Sequence, residues 1–293
     1  MSTDRKIFIV WNPASGGHGK KIVNELTRFI GDNYSYQVFD TQASKGAKTL
    51  VESRFDENFT DLLIIGGDGT INEAVNGLHF DVPISIVPAG TGNDFIKNIQ
   101  IGKSLNQQFE TALEGKIQSV DVGKCNDRLF LNGVGIGFDG QIVEDMVSKR
   151  VPLLTGHAAY YYHVLRILGG YRERPFSYSL DGHRHEKELI LLTVGNGTTF
   201  GGGFKLMPNA KIDDGLLDVC EIGKISGIKR FLNIHKLSNG THGTLKEVNL
   251  YQSQEIMVEE NPLLFAHIDG ERMGQPPYHI QILPNKIKLR VSP

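Results

Sequence analysis

Over the first 120 residues, apolar positions switch between unbroken runs and runs spaced for a helix. Lys6–Trp11 reads KIFIVW, a β-branched and aromatic stretch halted by Asn12-Pro13, and Ile22, Val23, Leu26, Phe29 and Ile30 then recur at helical spacing across 20–30. The unit repeats: SYQVFD (35–40) precedes a helical 45–54, DLLIIG (61–66) precedes a helical 71–78, and PISIVP (83–88) is a fourth strand. Continuous rather than alternating hydrophobicity marks strands covered on both faces. The pattern therefore predicts a parallel sheet with helices on each side, a doubly wound, Rossmann-like α/β domain.

Beyond Val120 the texture changes. RLFLNGVGIG, FSYSLDG, KELILLTVGNG, GLLDVCEI, EIMVEE, YHIQILP and KIKLRVS follow one another with turn residues between. They predict a mostly antiparallel β-sandwich domain, interrupted by one helix within 151–171. The division is set at 1–122 and 123–285, with 286–293 a candidate return to the first domain. No low-complexity linker separates the halves, so tight packing is expected.

The chain has 293 residues, 40% of them hydrophobic, a length that suits two domains or one large one, with enough apolar material for a core either way. Its 31 basic residues nearly balance 33 acidic ones, so bulk charge gives no reason to expect a nucleic-acid partner. Cys125 and Cys220 lie in no CxxC pair, which excludes a disulfide framework and a cysteine-rich zinc site and points to a reducing, cytoplasmic setting. No stretch approaches the ~20 apolar residues of a transmembrane helix, and the apolar run near the N-terminus is too short for a secretory signal.

In an open α/β sheet, ligands sit beyond the carboxyl ends of the strands. Three glycine-bearing loops fall there: NPASGGHGK (12–20), GGDGTIN (66–72) and PAGTGNDF (88–95). Glycine leaves no Cβ between backbone amides and an anion, and Asn12, Ser15, Thr70, Thr91 and Asn93 add neutral donors, so the loops predict a polyphosphate site. Asp68 and Asp94 would repel such a ligand unless a divalent cation lay between, which predicts magnesium with Asp68 organising it. An Asx-capped tight turn is the plainer use of any one such loop; three at successive strand ends favour the phosphate. The first loop is not a P-loop, because Ala14 stands where its first glycine would be and Gly19 is followed by Lys20-Lys21. Gly135-Ile136-Gly137-Phe138-Asp139-Gly140 has GxGxxG spacing, but it lies in the β-rich half with no acidic residue ending a second strand about 20 positions later. Sharp bends in a sheet are its expected role.

In order and spacing, NPASGG, GGDGTINEAVNGL and PAGTGNDF resemble the diacylglycerol kinase catalytic-domain family, in its soluble bacterial lipid kinase branch, related to sphingosine and ceramide kinases. The likeness continues through DVGKCNDRLFLNGVGIGFDGQIV (121–143), TVGNGTTFGGGFKLMPNAKIDDGLLDV (193–219) and HIDGER (267–272). GGDGT alone is shared with NAD kinase and phosphofructokinase-like folds, which leaves PAGTGNDF, DDGLLDV and the late DGE as the discriminating pieces. The resemblance implies an ATP- and magnesium-dependent lipid kinase, with diacylglycerol as the first acceptor and a role in phospholipid biosynthesis. It puts the nucleotide on the first domain and the acceptor in a cleft between the two. It assigns nucleotide contacts to Asn12, Pro13, Ser15, Gly16, Thr41, Gly66, Gly67, Asp68, Gly69, Thr70, Asn72 and Thr91. It assigns the catalytic base to Asp269, with Glu271 the other candidate, and a structural magnesium to Asp214 with the backbone carbonyls of Lys211 and Leu216.

The residues themselves leave several of these roles open. A lipid alcohol is a poor nucleophile near neutral pH, and a carboxylate accepting its proton helps; Asp269-Gly270-Glu271 offers two, yet also suits a glycine turn with solvated acids. Asp213-Asp214-Gly215 suits a hard cation and an ordinary hairpin turn equally. His183-Arg184-His185 falls short of a zinc ligand set and is expected at an exposed hairpin tip. Tyr160, Tyr161, Tyr162, Leu165, Ile167 and Leu168 interleave with Arg150, Arg166, Arg172 and Arg174, and Lys224, Lys229, Arg230 and Lys236 form a second basic run. Two readings of 150–174 stand: transient contact with an anionic membrane surface, or a helix packed on the β domain with a solvated basic edge. Phosphatidylglycerol or another lipid alcohol, and a soluble acceptor in the manner of NAD kinase, are the alternative substrates. A homodimer paired through a sheet edge is the remaining candidate assembly.

Overall fold

The computed structural model describes residues 5–15, 17–149, 151, 154 and 156–293. The chain divides into two compact units, Met1–Val120 with Asn285–Pro293, and Asp121–Pro284.

In the first unit, β1 (Lys6–Trp11), β2 (Ser35–Asp40), β3 (Asp61–Gly66) and β4 (Pro83–Pro88) form a parallel sheet ordered β2-β1-β3-β4. Lys288 and Leu289 of the last strand extend it, pairing in parallel with Pro83 and Ile84. Alternate residues serve opposite faces. Ile7, Ile9, Leu63, Ile65 and Val87 pack on Ile22, Val23, Leu26 and Ile30 of α1 (Gly19–Ile30) and on Phe109, Ala112 and Leu113 of a helix at Leu105–Glu114. Phe8 points the other way, its ring 4.2 Å from Phe39, 5.4 Å from Phe55 and 5.0 Å from Phe59. On the layer with Phe55 lie α2 (Ala47–Arg54) and α3 (Asp68–Gly77). Double coverage is why β1, β3 and β4 read as unbroken apolar runs, whereas the edge strand β2 is largely exposed. The Leu105–Glu114 helix, α4, lies outside the elements read from the sequence; it begins at a capping box between Ser104 and Gln107.

The second unit begins within β5 (Lys116–Cys125), whose Gly123, Lys124 and Cys125 pair with β6 (Arg128–Phe130). Six strands, β7 (Gly133–Gly137), β10 (Leu191–Gly195), β11 (Leu217–Ile222), β12 (Val248–Ser253), β14 (Ala266–Ile268) and β15 (Glu271–Gly274), form an antiparallel sheet ordered β12-β11-β10-β7-β14-β15. A second antiparallel layer joins β8 (Arg174–Leu180), β9 (His183–Leu189), β13 (Glu255–Val258) and the start of β16 (Tyr278–Val291). Val134, Ile136, Leu192, Val194, Leu217 and Val219 of one layer meet Phe176, Tyr178, Leu180, Ile256, Val258, Tyr278 and Ile280 of the other, which makes a sandwich core. The outer face of the six-stranded sheet is covered by α5 (Phe138–Ser148), α6 (Gly156–Leu168) and α7 (Gly227–Asn239).

Of those three helices the sequence reading anticipates only α6, and its view of Gly135–Gly140 as bends in a sheet is corrected here. Gly137, at φ 88°, turns β7 directly into α5. A Cβ at Gly140 would lie 2.0 Å from the Phe265 carbonyl oxygen, and one at Gly137 2.7 Å from that of Ile190, so these glycines permit close approach of backbones. The Gly137 and Phe138 amides donate to Phe265 O (2.9 Å) and Ile190 O (3.0 Å), which leaves neither for a phosphate. Asp181 and Gly182, at φ 45° and 81°, form the β8–β9 tip beside exposed His183 and Arg184, while His185 stacks on Tyr178. Among the described residues no helix is long and apolar enough to cross a membrane, and no group of three or more His, Cys, Asp and Glu side chains is placed to hold a metal.

Candidate functional site

At the carboxyl ends of β1, β3 and β4 the three glycine loops meet. Asn12 donates through its amide nitrogen to Thr70 Oγ1 (3.1 Å), while its side-chain oxygen accepts from Ala14 N (2.9 Å), which shapes the first loop. Gly66 lies under Thr70: a Cβ there would stand 2.6 Å from the Thr70 Cβ. Gly67 and Gly90 press backbone on backbone, since a Cβ on Gly90 would stand 2.5 Å from Gly67 Cα. Asp68 closes the second loop on the third, its Oδ2 accepting from Asp94 N (3.1 Å) and its Oδ1 from Phe95 N (3.1 Å). Burial pushes the Asp68 carboxyl above its usual range, against the pull of the Phe95 and Asp94 amides. Asp94 is itself buried, with Lys97 Nζ 2.5 Å from its Oδ1.

The turn after β2 is tied to α3 as well. Thr41 is buried there, its carbonyl accepting from Gly46 N (3.0 Å), and Glu73 of α3 accepts from Ala47 N (2.6 Å) at the start of α2. Asn72 is buried within α3, and Thr91 is exposed. Pro13 and Ser15 are half-buried in the first loop, and Gly69 has open space where a Cβ would be. Gly16 lies outside the described residues.

In the second unit the two acids of the DGE turn have different surroundings. Asp269, at φ 46°, is enclosed by backbone: its Oδ2 accepts from Leu131 N (2.8 Å), its Oδ1 from Asn132 N (3.0 Å) and Gly133 N (2.8 Å), and its own amide donates to Gly133 O (2.9 Å). Glu271 starts β15 with its side chain 45% exposed and its Oε2 2.5 Å from Arg128 Nη2. Asn132 and Asn196 belong to the same neighbourhood and were absent from the sequence candidates. Asn132 donates to Thr199 O, and Asn196 to Asp121 O (3.0 Å) and Leu131 O (3.1 Å). The side-chain oxygen of each is buried without a hydrogen-bond partner among the described residues. Their NG steps, LNGVG and VGNGT, were the available signal.

Below this turn, Gly135 lets two ionisable side chains approach across β7: a Cβ there would lie 2.5 Å from His267 Nε2 and 2.7 Å from Asp139 Cβ. Burial lowers His267 to about 4 and raises Asp139 to about 6, the latter against the hydrogen bond from Thr193 Oγ1 (2.9 Å). His267 Nδ1 accepts from Gly270 N (3.3 Å), which steadies the DGE turn and puts the proton of the neutral ring on Nε2.

The DDG turn carries the residues for the implied structural magnesium. Asp214 Oδ1 accepts from Leu216 N (3.1 Å), and Gly215, at φ 75°, donates to Asp121 Oδ2 (2.7 Å). Asp218 Oδ2 is buried without a hydrogen-bond partner among the described residues, and burial, then the Asp214 charge, push that carboxyl up to about 6. An orphaned carboxylate oxygen beside a second carboxylate is what a hard cation neutralises, so the turn fits the ion. Asp218 is the addition that sequence reasoning missed.

Of the aromatic and basic residues in 150–174, Tyr160 and Tyr161 pack on Phe204 with ring centroids at 6.2 and 5.2 Å, and Ile167 and Leu168 join the core under the helices. Arg166 pairs with Asp145, whereas Tyr162, Leu165 and Arg172 are exposed. Arg150 lies outside the described residues.

Comparison with known proteins gives the same two-part picture. The Diacylglycerol kinase catalytic domain matches residues 6–125, and the YegS C-terminal NAD kinase beta sandwich-like domain matches residues 132–291. A diacylglycerol kinase of Staphylococcus aureus (strain JH9) is 29% identical over 280 residues, 93% of this chain and 88% of that protein. The crystal structure of a diacylglycerol kinase from Bacillus anthracis str. Sterne shares the fold with a TM-score of 0.76 at 22% identity, covering 100% of this chain and 99% of that one. An NAD kinase from Archaeoglobus fulgidus in complex with ATP is a more distant likeness, with a TM-score of 0.52 at 14% identity over 97% and 93% of the two chains. With both family domains matched in series on an α/β unit and a β-sandwich unit, this chain belongs to the diacylglycerol kinase catalytic-domain family, in the form whose second half is the YegS-type NAD kinase-like β-sandwich, and is a phosphotransferase of that kind.

Proposed function

We propose that this protein transfers the γ-phosphoryl group of ATP to the hydroxyl of diacylglycerol, forming phosphatidic acid, with magnesium accompanying the nucleotide. The observation that carries the reading is the convergence of the three strand-end loops, with Asn12 bonded to Thr70, Gly67 against Gly90, and Asp68 bonded to the amides of Asp94 and Phe95. The first-turn amides of α3, at Asp68, Gly69 and Thr70, have no intrahelical acceptor and sit at the positive end of the helix dipole, which suits phosphate oxygens. Asn12, Pro13, Ser15, Gly16, Thr41, Gly66, Gly67, Gly69, Thr70, Asn72 and Thr91 are the nucleotide-contacting set in this reading. Asp68 and Asp94 act chiefly as loop-fixing acids, since amides and Lys97 occupy them; magnesium bound with the phosphates would supply charge neutralisation. Asp214 and Asp218, with the carbonyls of Lys211 and Leu216, would hold a structural magnesium that fixes the DDG turn.

For the proton of the attacking hydroxyl, Glu271 is the better base. Asp269 has both oxygens committed to three amides, so protonating it would dismantle the turn that carries it. Glu271 is accessible and oriented by Arg128. Its carboxylate takes the hydroxyl proton as the oxygen bonds to the γ-phosphorus and ADP leaves with the bridging oxygen's electrons. Incubation with labelled ATP and a total lipid extract, followed by mass spectrometry of new phosphorylated species, tests this. Phosphatidic acid made by wild type and lost in Glu271→Gln is the expected result. A labelled phosphatidylglycerol derivative, or label only in NAD when that soluble acceptor is added alongside the lipids, would replace diacylglycerol as substrate; no labelled product with either would end the kinase reading.

A further inference from the structure

Resting on the lipid-kinase reading, we infer that α7 is the element by which this protein inserts into an anionic lipid surface. The helix has a side that packs on the protein and, opposite it, an exposed apolar stripe. Arg230, Asn233, Ile234 and Leu237, at i, i+3, i+4 and i+7, line an apolar cavity over the six-stranded sheet, so that side is the protein-packing face. Ile228, Phe231 and Leu232, at i, i+3 and i+4, lie roughly 180° around the helix from it. They are 78%, 46% and 66% exposed, and no residue of α7 is fully buried. Scattered single apolar residues on a surface are ordinary, whereas a contiguous set marks an interaction site. This set continues past the helix. A Cβ on Gly169 would lie 3.1 Å from the Phe231 ring, and Gly169 follows exposed Leu165 by one helical step of four residues and exposed Tyr162 by seven.

Charge decides what covers the stripe. From Lys224 to Gly240 the chain reads KISGIKRFLNIHKLSNG, with four lysine and arginine side chains and no carboxylate. Arg230 is turned inward, donating to the carbonyls of Ile225, Leu168 and Tyr171 and pairing with Glu173, and so anchors the helix. Lys229 and Lys236 flank the apolar stripe on one side, and Lys224 is exposed just ahead of it; Lys229 has Glu247 at 3.7 Å, and Lys236 donates to Thr244. Aliphatic and aromatic side chains bordered by lysines, with no acid on the helix, are the composition of a helix lying in the headgroup region of a negatively charged bilayer. A second copy would bring two cationic rims together, which disfavours a self-contact.

Sedimentation with phosphatidylcholine vesicles containing phosphatidylglycerol, free of diacylglycerol and ATP, tests the assignment. The Ile228→Ser/Leu232→Ser double variant alters two exposed side chains and should keep the wild-type melting temperature. Its partition onto these vesicles should fall more than about tenfold, because each lost side chain contributes roughly that factor when buried. Wild-type binding should weaken similarly when phosphatidylglycerol is omitted. Phe231→Trp should gain emission that shifts to the blue on vesicles and is quenched by brominated lipid. A double variant that pellets like wild type, or an added tryptophan indifferent to vesicles, would overturn the assignment. So would a dimer that becomes monomeric in the double variant with vesicle binding intact, since the stripe would then join two copies. Phosphorylation of a water-soluble short-chain diacylglycerol by wild type reports the kinase reading separately, so its failure is distinguishable from failure of the surface.

Discussion

Asp269→Asn separates a turn-holding acid from a proton-accepting one. The wild-type carboxylate receives amides from Leu131 at 2.8 Å, Asn132 at 3.0 Å and Gly133 at 2.8 Å. Asparagine keeps one oxygen. Turned to serve Asn132 and Gly133, it presents its NH2 to the Leu131 amide and leaves that donor unsatisfied, while the two remaining bonds lose the strengthening of a charged acceptor. An unsatisfied part-buried donor costs about 1–3 kcal/mol, and the weakening of two charge-assisted bonds adds about 1–2, for a total of roughly 2–5 kcal/mol. At about 2–4 °C per kcal/mol for a unit of this size, the melting temperature should fall by roughly 5–15 °C. Glu271→Gln removes only an exposed pair with Arg128, worth about 0–1 kcal/mol, and should melt close to wild type. Its kcat should drop by about 10²–10⁴ through loss of the base. Differential scanning calorimetry with and without nucleotide, and kcat measured well below both midpoints, give the two readouts. An Asp269→Asn protein that melts like wild type yet has no turnover would return the base to Asp269 and refute the argument from the three amides.

Other outcomes follow from single contacts. Gly90→Ala would put a Cβ 2.5 Å from Gly67 Cα, which is backbone, and 2.8 Å from the Asn93 side-chain oxygen; ATP affinity by calorimetry should fall more than about tenfold, and unchanged affinity would count against the shared cup of loops. Asp139, raised to about 6 by burial, costs stability in a penalty that is fully present above pH 6 and is relieved as pH falls toward the ordinary carboxylate value of 3.8. Asp139→Asn should therefore stabilise the protein by up to about 3 kcal/mol in urea melts at pH 7.5, with the gain shrinking below pH 6. Magnesium should raise the melting temperature over a chelator-treated sample, less so below pH 6 where Asp218 takes a proton, and Asp218→Asn should remove most of that rise. A magnesium response equal in variant and wild type would move the ion elsewhere.

The α/β unit was legible because its physics is local. Strands buried on both faces must be apolar throughout, and Leu62, Leu63, Ile64 and Ile65 are all fully buried. Less of the second unit could be read. Phe138, Ile142, Val143 and Met146 have helical spacing, but Gly135, Gly137 and Gly140 sit where a reader of sequence expects sheet bends. Only the packing of Gly140 against the Phe265 carbonyl explains a glycine inside α5. In α7 the exposed stripe of Ile228, Phe231 and Leu232 opposes a packing side that includes Arg230 and Asn233, so apolar residues do not gather on one side, and Ser226 ahead of the helix and Gly240, at φ 71° after it, were its clearest signals. α4 advertised itself through Ser104 and Gln107, a capping box readable from sequence alone.

The candidate chemistry was legible as a set of acids beside glycines, but the role of each acid was not, because it depends on partners far away in the chain. Asp68 reads as a metal organiser, yet its oxygens accept amides 26 and 27 residues on; Asp269 reads as a base, yet its amides come from 136 to 138 residues earlier. Glycine makes this outcome general. A loop free of Cβ atoms exposes amides that need acceptors once buried, and a carboxylate supplies the strongest acceptor available. The acids to which chemistry can then be assigned are those left over after the backbone is satisfied: Glu271, which meets solvent and one arginine, and Asp218, whose Oδ2 lacks a donor among the described residues. If that ordering is right, charge-neutral substitutions at Asp68 and Asp269 should show up first as lost loop stability, and those at Glu271 and Asp218 first as lost turnover and lost metal response.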